Sequence, residues 1–326
     1  MMLLSIAMIV IGLAVLVWSA DLFVDGAAAV ALNLGMSALL VGMVIIGFGT
    51  SAPELTVSVL AAMQGNPGLA LGNAYGSNIT NIALILGVTA LISPVLMRSQ
   101  LLKRELPILL AVTLLAFFHL QDSQITRLEG LIELAVLLLV FIWMVVQSRQ
   151  ESSHKDELEV ELEVELKHIK TNKAWTMLVV GLVLLVVSSR MLVWGAVNIA
   201  HAFGVSDLII GLTVVAVGTS LPELASSIAA ARKGEHDLAV GNIIGSNLFN
   251  TLAVVGLASV IHPMQIPTEV LTRDWTVMLG LTILLFALGY TRKESGEKTI
   301  TRLGGSLLMA IYIGYTLYLI IGVMAP

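Results

Sequence analysis

Two glutamates stand where a membrane-embedded chain tolerates charge least. Glu54 lies in Gly49-Thr50-Ser51-Ala52-Pro53-Glu54-Leu55 and Glu223 in Gly218-Thr219-Ser220-Leu221-Pro222-Glu223-Leu224, both inside long apolar stretches. A charge at a helix centre in lipid costs about 2.5–3.5 kcal/mol even on lenient insertion scales. A second string, running from Gly72 and Asn73 through Gly76, Ser77 and Asn78 to Asn81, returns at Gly241, Asn242, Gly245, Ser246, Asn247 and Asn250. Both pairs share one offset of 169 residues. A chain that accepts this cost twice, at matching positions, is expected to use the carboxylates to hold a cation.

The spacing says what kind of cation. Thr50 and Glu54 are four residues apart, as are Thr219 and Glu223, so each pair shares one helix face. Pro53 and Pro222 have no amide hydrogen, so each frees the carbonyl of Gly49 or Gly218 and bends its helix. In lipid such carbonyls persist only where they are buried in protein or line a cavity. Asn73, Ser77 and Asn81 follow i, i+4, i+8, and Asn242, Ser246 and Asn250 do the same. The pairs Gly72/Gly76 and Gly241/Gly245 have the small-x-x-x-small spacing that lets a neighbouring helix approach. The resulting ligands are all oxygens, which suits a hard cation; Ca²⁺ takes roughly six to eight of them at about 2.3–2.6 Å. With no imidazole or thiolate near the motifs, zinc, copper and iron are poor candidates. Any one Asn, Ser or Thr in a membrane helix commonly does no more than hydrogen-bond a neighbour. It is the repetition of the whole pattern that favours a binding site.

The elements that position these residues follow from composition. Of 326 residues, 57% are hydrophobic and 12% charged, about half the charged share of a soluble domain, which is near 25%. The chain is therefore expected to be an all-α membrane protein. Apolar runs of about 20 residues predict ten spans, at 2–32, 39–63, 69–94, 106–120, 127–147, 174–200, 207–231, 238–261, 274–290 and 303–322. The apolar run from Met1 lacks a basic start and a cleavage site, and is read as the first span, not as a signal peptide. With the N-terminus on one face, fourteen Lys and Arg fall in loops on the opposite face, two on the same face (Arg127 and Arg273), and one, Arg190, within a span. The positive-inside rule then makes the basic face cytoplasmic and places both termini outside. Five spans per half is an odd number, so the second half must be inverted relative to the first. The expected fold is ten transmembrane helices in two inverted-topology repeats of five, with a substrate site at the midplane where the repeats meet.

Residues 1–147 and 174–326 are expected to form the two halves, joined by an acidic cytoplasmic linker at 148–173. Its strict alternation from Glu157 to Lys167 resembles a strand, but no neighbouring segment offers a pairing partner, and it reads as a solvated linker. It lacks the Asp-x-Asp-x-Asp-Gly pattern of a calcium-binding loop. Cysteine is absent, which removes disulfides, thiolate metal sites and a cysteine nucleophile.

The paired Gly-Thr-Ser-x-Pro-Glu-Leu and Gly-Asn-x-x-Gly-Ser-Asn strings resemble the alpha-repeats of the calcium/cation antiporter superfamily. Within it, the Thr-Ser-x-Pro-Glu spelling is most similar to the prokaryotic sodium/calcium exchanger branch. The resemblance implies a central calcium site with Glu54 and Glu223 as principal ligands. Thr50 and Thr219 would be shared with flanking sodium sites, together with carbonyls near Gly47 and Ala216. Ser51, Ser220, Ser77 and Ser246 would supply further oxygens, and Asn81 and Asn250 would complete the middle. Some relatives carry Asp at one of those last two positions, whereas both are Asn here.

The expected function is export of Ca²⁺ from the cytoplasm in exchange for Na⁺ by alternating access, across a plasma membrane (the inner membrane in a Gram-negative cell). The same two glutamates could instead exchange Ca²⁺ for H⁺. A passive cation channel is a more remote reading, since conduction needs no closing two-carboxylate centre. A hydrolase using Ser77 or Ser246 would need a nearby general base, and His119, His201 and His262 all lie near span ends. The partners are thus the transported ions and the bilayer, with no cofactor, nucleic acid or obligatory protein partner expected. Asp21 and Asp25 in the first span, and Arg190 at the repeat position of Asp21, are expected to form a buried pair between the two long helices. Arg104-Glu105 and Arg273-Asp274 are expected at the membrane interface.

Overall fold

A computed structural model describes residues 2–34, 36–65, 67–151, 169–203, 216–290 and 298–324. The alternating glutamate segment of the linker and the first part of the expected seventh span, 207–215, lie outside the described residues. Among the described residues, seven helices are long and apolar enough to cross a membrane: α1 (Met2–Leu34), α4 (Gly68–Ile92), α6 (through Arg127–Val146), α7 (through Thr171–Ile199), α10 (His236–Ile261), α11 (Val270–Gly289) and α12 (through Arg302–Ile321). A bent pair, α2 (Leu39–Thr50) and α3 (Ala52–Met63), makes an eighth if counted as one span. The shorter α5 (Leu106–Leu120) also lies among them. In the second half, α8 (Ala216–Thr219) and α9 (Leu221–Arg232) stand at the repeat positions of the end of α2 and of α3.

The helices that carry the Gly-Asn-x-x-Gly-Ser-Asn strings form the centre. In α4 and α10, 72% and 89% of the apolar window is buried, against 17% to 28% in the other single spans. Gly42 of α2 and Gly241 of α10 let those backbones touch: a Cβ on Gly241 would lie 2.7 Å from the Leu39 carbonyl, and one on Gly42 2.9 Å from that of Leu238. Small residues at such crossings are what packing in lipid uses in place of a hydrophobic driving force.

At the rim, α1 and α7 (Thr171–Ala202) run antiparallel along each other. Gly12 meets Ser188 and Leu192, and Gly181 meets Phe23. Because 192 less 23, and 181 less 12, both equal the 169-residue offset, the crossing is its own image under the repeat. That register overturns the expected pair of Asp21 with Arg190. The two are equivalent by repeat but displaced to opposite sides of the crossing, since Arg190 stands opposite Gly12, on the order of 10 Å along the axis from Asp21 at about 1.5 Å per residue. Asp25 and Asp21 instead face Lys233 at the end of α9, at 2.7 and 3.6 Å. Both aspartates are substantially exposed, so the expectation of burial is corrected as well.

Two short antiparallel ribbons tie the halves together. β1 (Val95–Leu96) pairs with β4 (Thr299–Ile300), and β2 (Gln124–Ile125) with β3 (Met264–Gln265). Each ribbon takes one strand from each half. α6 (Arg127–Glu151) continues past the span expected at 127–147, because a helix whose apolar part ends in lipid can extend its polar residues into water. Arg273 and Asp274, expected at the interface, pair with each other at 2.7 and 2.9 Å, capped by the Tyr315 hydroxyl donating to Asp274 at 2.7 Å. Glu105, at the repeat position of Asp274, is buried in the protein, 3% exposed.

Candidate cation site

The sequence breaks both Pro-Glu helices at one residue. Ser51 sits at φ −80°, ψ 6°, between α2 and α3, and the two segments meet at 45°. Ser220 sits at φ −92°, ψ 10°, between α8 and α9. Pro53 and Pro222 occupy the first turns of α3 and α9, where a missing amide hydrogen does no harm. Glu54 and Glu223 also fall in those first turns, where the helix dipole favours a negative or partly negative group.

Both carboxylates are completely buried, and each is held by the opposite half. The Ser51 hydroxyl donates to Glu223 Oε1 at 3.2 Å, and the Ser220 hydroxyl to Glu54 Oε1 at 3.2 Å. The arms of the central helices lock the breaks in place. Asn73 Nδ2 donates to the Glu54 carbonyl at 3.0 Å and to Ser58 Oγ at 2.9 Å. Asn242 Nδ2 donates to the Glu223 carbonyl at 3.2 Å and to Ser227 Oγ at 2.8 Å. Ser58 and Ser227 are again related by the 169-residue offset. Each carries the hydroxyl one turn beyond its glutamate. The signal is present in the sequence as a second repeated Ser, outside the strings that carry the cation ligands.

Of the predicted site residues, the structure brings Glu54, Glu223, Ser51 and Ser220 into one network. Thr50, also buried, donates to the Ile46 carbonyl at 3.0 Å and lies 3.1 Å from Asn242 Oδ1. Ser246 donates to the Gly47 carbonyl at 3.2 Å, so Gly47 is joined to the opposite half through its backbone. Thr219 is half-buried. It lines a cavity of about 70 Å³ with Gly218, Pro53, Val57, Val186, Ser189, Arg190 and Val193. Ala216 begins α8, and its backbone is on the helix as expected. Ser77 is buried on α4. Asn81 Nδ2 donates across the halves to Asn247 Oδ1 at 3.0 Å, and Asn250 is fully buried.

Five buried polar atoms of these residues have no hydrogen-bond partner: Glu54 Oε2, Glu223 Oε2, Asn81 Oδ1, and both side-chain polar atoms of Asn250. An orphaned buried polar atom costs about 1–3 kcal/mol, and more when charged; the four oxygens among the five can accept a cation, whereas Asn250 Nδ2 is a donor and cannot. Among the described residues no cluster of three or more His, Cys, Asp or Glu forms a transition-metal site. Two carboxylates among neutral oxygens match a hard cation as cargo.

One feature at the site has no signature in the residue types. The helices widen to π-helical turns at Thr80–Ile85 and Asn250–Val254, at or beside Asn81 and Asn250, and again at Gly42–Ile46 before the first break. Such bulges free backbone carbonyls and gather at functional sites.

Comparison with known proteins bears on this arrangement. A family model for the sodium/calcium exchanger protein matches residues 4–147 and 173–321. The putative antiporter CaxA of Alkalimonas amylolytica is 45% identical over 315 residues, covering 96% of this chain and 98% of that one. The sodium/calcium exchanger MaX1 of Methanosarcina acetivorans is 33% identical over 345 residues, covering 95% and 97%. A solved structure of the sodium-calcium exchanger NCX_Mj superposes with a TM-score of 0.82 at 29% identity, covering 96% of this chain and 98% of that one. With the repeated motifs and the two interlocked glutamates on the same fold, this chain belongs to the sodium/calcium exchanger family of membrane transporters.

Proposed function

We propose that the chain is a secondary antiporter that moves Ca²⁺ out of the cytoplasm against inward Na⁺ by alternating access, with ten spans in two inverted five-helix repeats and both termini outside. The observation that carries this reading is the reciprocal bond between halves: each buried glutamate is held by a serine of the other repeat and keeps one oxygen unpaired. A site shared in this way changes whenever one repeat moves against the other, which is the requirement of alternating access. Two carboxylates carry two negative charges, which one Ca²⁺ or a set of Na⁺ ions compensates. Without cations the charges stay uncompensated in a low-dielectric centre, so the closed state is disfavoured and exchange is obligatory.

Glu54, Glu223, Thr50, Thr219, Ser51, Ser220, Ser77, Ser246, Asn81 and Asn250, with backbone oxygens near Gly47 and Ala216, are the ligands in this reading. The cavity that reaches Thr219 extends toward Val193 and Val57, the direction assigned to the outside, and supplies an access path. The positive-inside orientation and export place the protein in the plasma membrane, the inner membrane in a Gram-negative cell. The unpaired Oε2 atoms also favour a second reading, in which protons replace Na⁺ on the same two glutamates.

Calcium uptake into inside-out vesicles separates these readings. A Na⁺ gradient imposed at fixed pH should drive uptake, and a pH gradient without Na⁺ should not. Uptake driven by the pH gradient alone establishes the proton reading, and uptake needing neither gradient establishes a channel.

A further inference from the structure

Outside the cation site, the described residues hold a second buried polar cluster. The Glu133 side chain on α6 is 1% exposed, and its Oε1 lies 3.0 Å from His119 Nδ1 at the end of α5, itself 8% exposed. Glu133 Oε2 and the Tyr75 hydroxyl are both buried without a hydrogen-bond partner. Tyr75 and Glu133 are within electrostatic reach of each other. Tyr75 lies on α4 between Asn73 and Ser77. At about 100° per residue, a position two away from both points to the opposite side of the helix from the cation site.

The inverted repeat provides an internal control for this cluster. Gly130 of α6 packs against Gly256 of α10, and Gly305 of α12 (Arg302–Met324) against Gly87 of α4. Gly87 and Gly256 are repeat mates, so Gly130 and Gly305 are too. Three residues further on, Glu133 therefore matches Leu308, which is fully buried. At the 169-residue offset His119 matches Leu288 and Tyr75 matches Ile244. The fold fills the same three positions with apolar side chains in the other half. Packing alone does not call for a histidine, a glutamate and a tyrosine there.

We propose that His119 and Glu133 form a second, proton-binding site, coupled to the cation site through Tyr75 on α4. The pair is reached from the aqueous face of the 121–126 connection. There the exposed Asp122 and the half-buried Glu129 lie within electrostatic reach of His119, and Glu129 also of Glu133. Glu129 is held by Thr126, whose amide and hydroxyl donate to Glu129 Oε2 at 2.7 and 2.8 Å. From α10 the face packed on Glu133 brings Gly256 and Ser259, and α10 has no ionisable residue between Asp237 and its end. The ionisable surroundings of the pair are thus Asp122, Glu129 and Tyr75. With a neutral imidazole and an ionised carboxylate the pair carries one negative charge, within electrostatic reach of a Tyr75 hydroxyl that makes no hydrogen bond to Oε2. One proton taken from water makes the pair neutral and removes the charge that attracts the Tyr75 O–H dipole. Tyr75 responds to that charge and does not itself titrate. The helix that carries Asn73, Ser77 and Asn81 is thereby held more or less firmly according to the pH of one face.

The proton site is tested without reference to transport by pH-difference infrared spectroscopy of the reconstituted protein between about pH 5.5 and 8.5, a range that brackets histidine titration. Wild type should show bands for one carboxyl and one imidazole changing together, and both changes should be lost in Glu133→Gln and in His119→Gln. Coupled bands that persist in Glu133→Gln overturn the site. The coupling is tested by calcium flux with pH varied on one face at a time. The double variant His119→Leu with Glu133→Leu, which installs the apolar pair of the other half, should keep its flux and lose the dependence on pH at the 121–126 face. Tyr75→Phe should keep the infrared bands and lose the same dependence. An unchanged pH dependence in these variants overturns the coupling. Should the double variant fail to insert, the near-isosteric Glu133→Gln carries the flux test to the same two outcomes. A protein that shows no calcium exchange fails the proposed function and leaves the infrared result standing on its own.

Discussion

The two halves of this molecule agree at the centre and part company at the rim. Ser51 to Glu223 and Ser220 to Glu54 are both 3.2 Å. The asparagine bonds to the glutamate carbonyls are 3.0 and 3.2 Å, and those to Ser58 and Ser227 are 2.9 and 2.8 Å. At the rim, Tyr75, His119 and Glu133 stand against Ile244, Leu288 and Leu308. One difference reaches the site itself: Thr50 is fully buried while Thr219 opens on a cavity beside Arg190. A centre that must look alike from two sides is held to near symmetry by chemistry supplied from both halves. The rim, where the halves meet through packing and not through shared ligands, is free to differ and can carry what only one face needs.

The largest expected effect tests the symmetry of the centre. Glu54→Gln and Glu223→Gln should each abolish calcium exchange in proteoliposomes while the protein still inserts and elutes as wild type, because each removes one of two charges that balance the ion. Exchange at wild-type rates in either variant would falsify the shared site. Next come Ser51→Ala and Ser220→Ala. Each removes one oxygen and one bond to a charged group across the halves, worth about 1.5–3 kcal/mol, and calcium affinity should fall by roughly tenfold or more in both. A loss confined to one of them means that the halves are not equivalent at the site.

A smaller effect is expected from Asn250→Asp. With both Asn81 and Asn250 uncharged, Glu54 and Glu223 are the only acids placed at the centre. A third should change the sodium dependence of exchange and the current carried per calcium moved at a fixed membrane potential. An unchanged ratio and sodium dependence would make Asn250 a packing residue.

The smallest effect concerns the rim. A double-mutant cycle on Asp25 and Lys233, read as melting temperature in detergent, should give a coupling of only about 0.2–1 kcal/mol for so exposed a pair. The cycle on Asp21 and Arg190 should show additivity. Coupling between Asp21 and Arg190 would contradict the α1–α7 register.

The distribution of what could be read from the chain follows the same division. The site was legible because its information is local: Pro53 and Pro222 mark where the helices break and Glu54 and Glu223 follow directly, although the break at Ser51 puts Thr50 and Glu54 on two segments and not on one helix face as expected. The repeat doubled each signal. Contacts that depend on how two helices cross were not legible. Asp21 and Arg190 are repeat mates, yet mates meet only at the crossing point, and nothing in the residue types says where that lies. The π-helical turns beside Asn81 and Asn250 are set by packing around α4 and α10. His119 was visible near a span end, but its pairing with Glu133 required α5 and α6 to be placed side by side.

In the proposed function one cation centre is built from both halves, and calcium titration calorimetry on purified protein tests this most directly. Wild type should bind one Ca²⁺ per chain in the absence of Na⁺, Glu54→Gln and Glu223→Gln should each weaken that binding by about 100-fold (roughly 2.7 kcal/mol) or more, and no residual tight site should survive in either. Two Ca²⁺ bound per chain, with each variant removing one and sparing the other, would mean two separate half-sites and would contradict it.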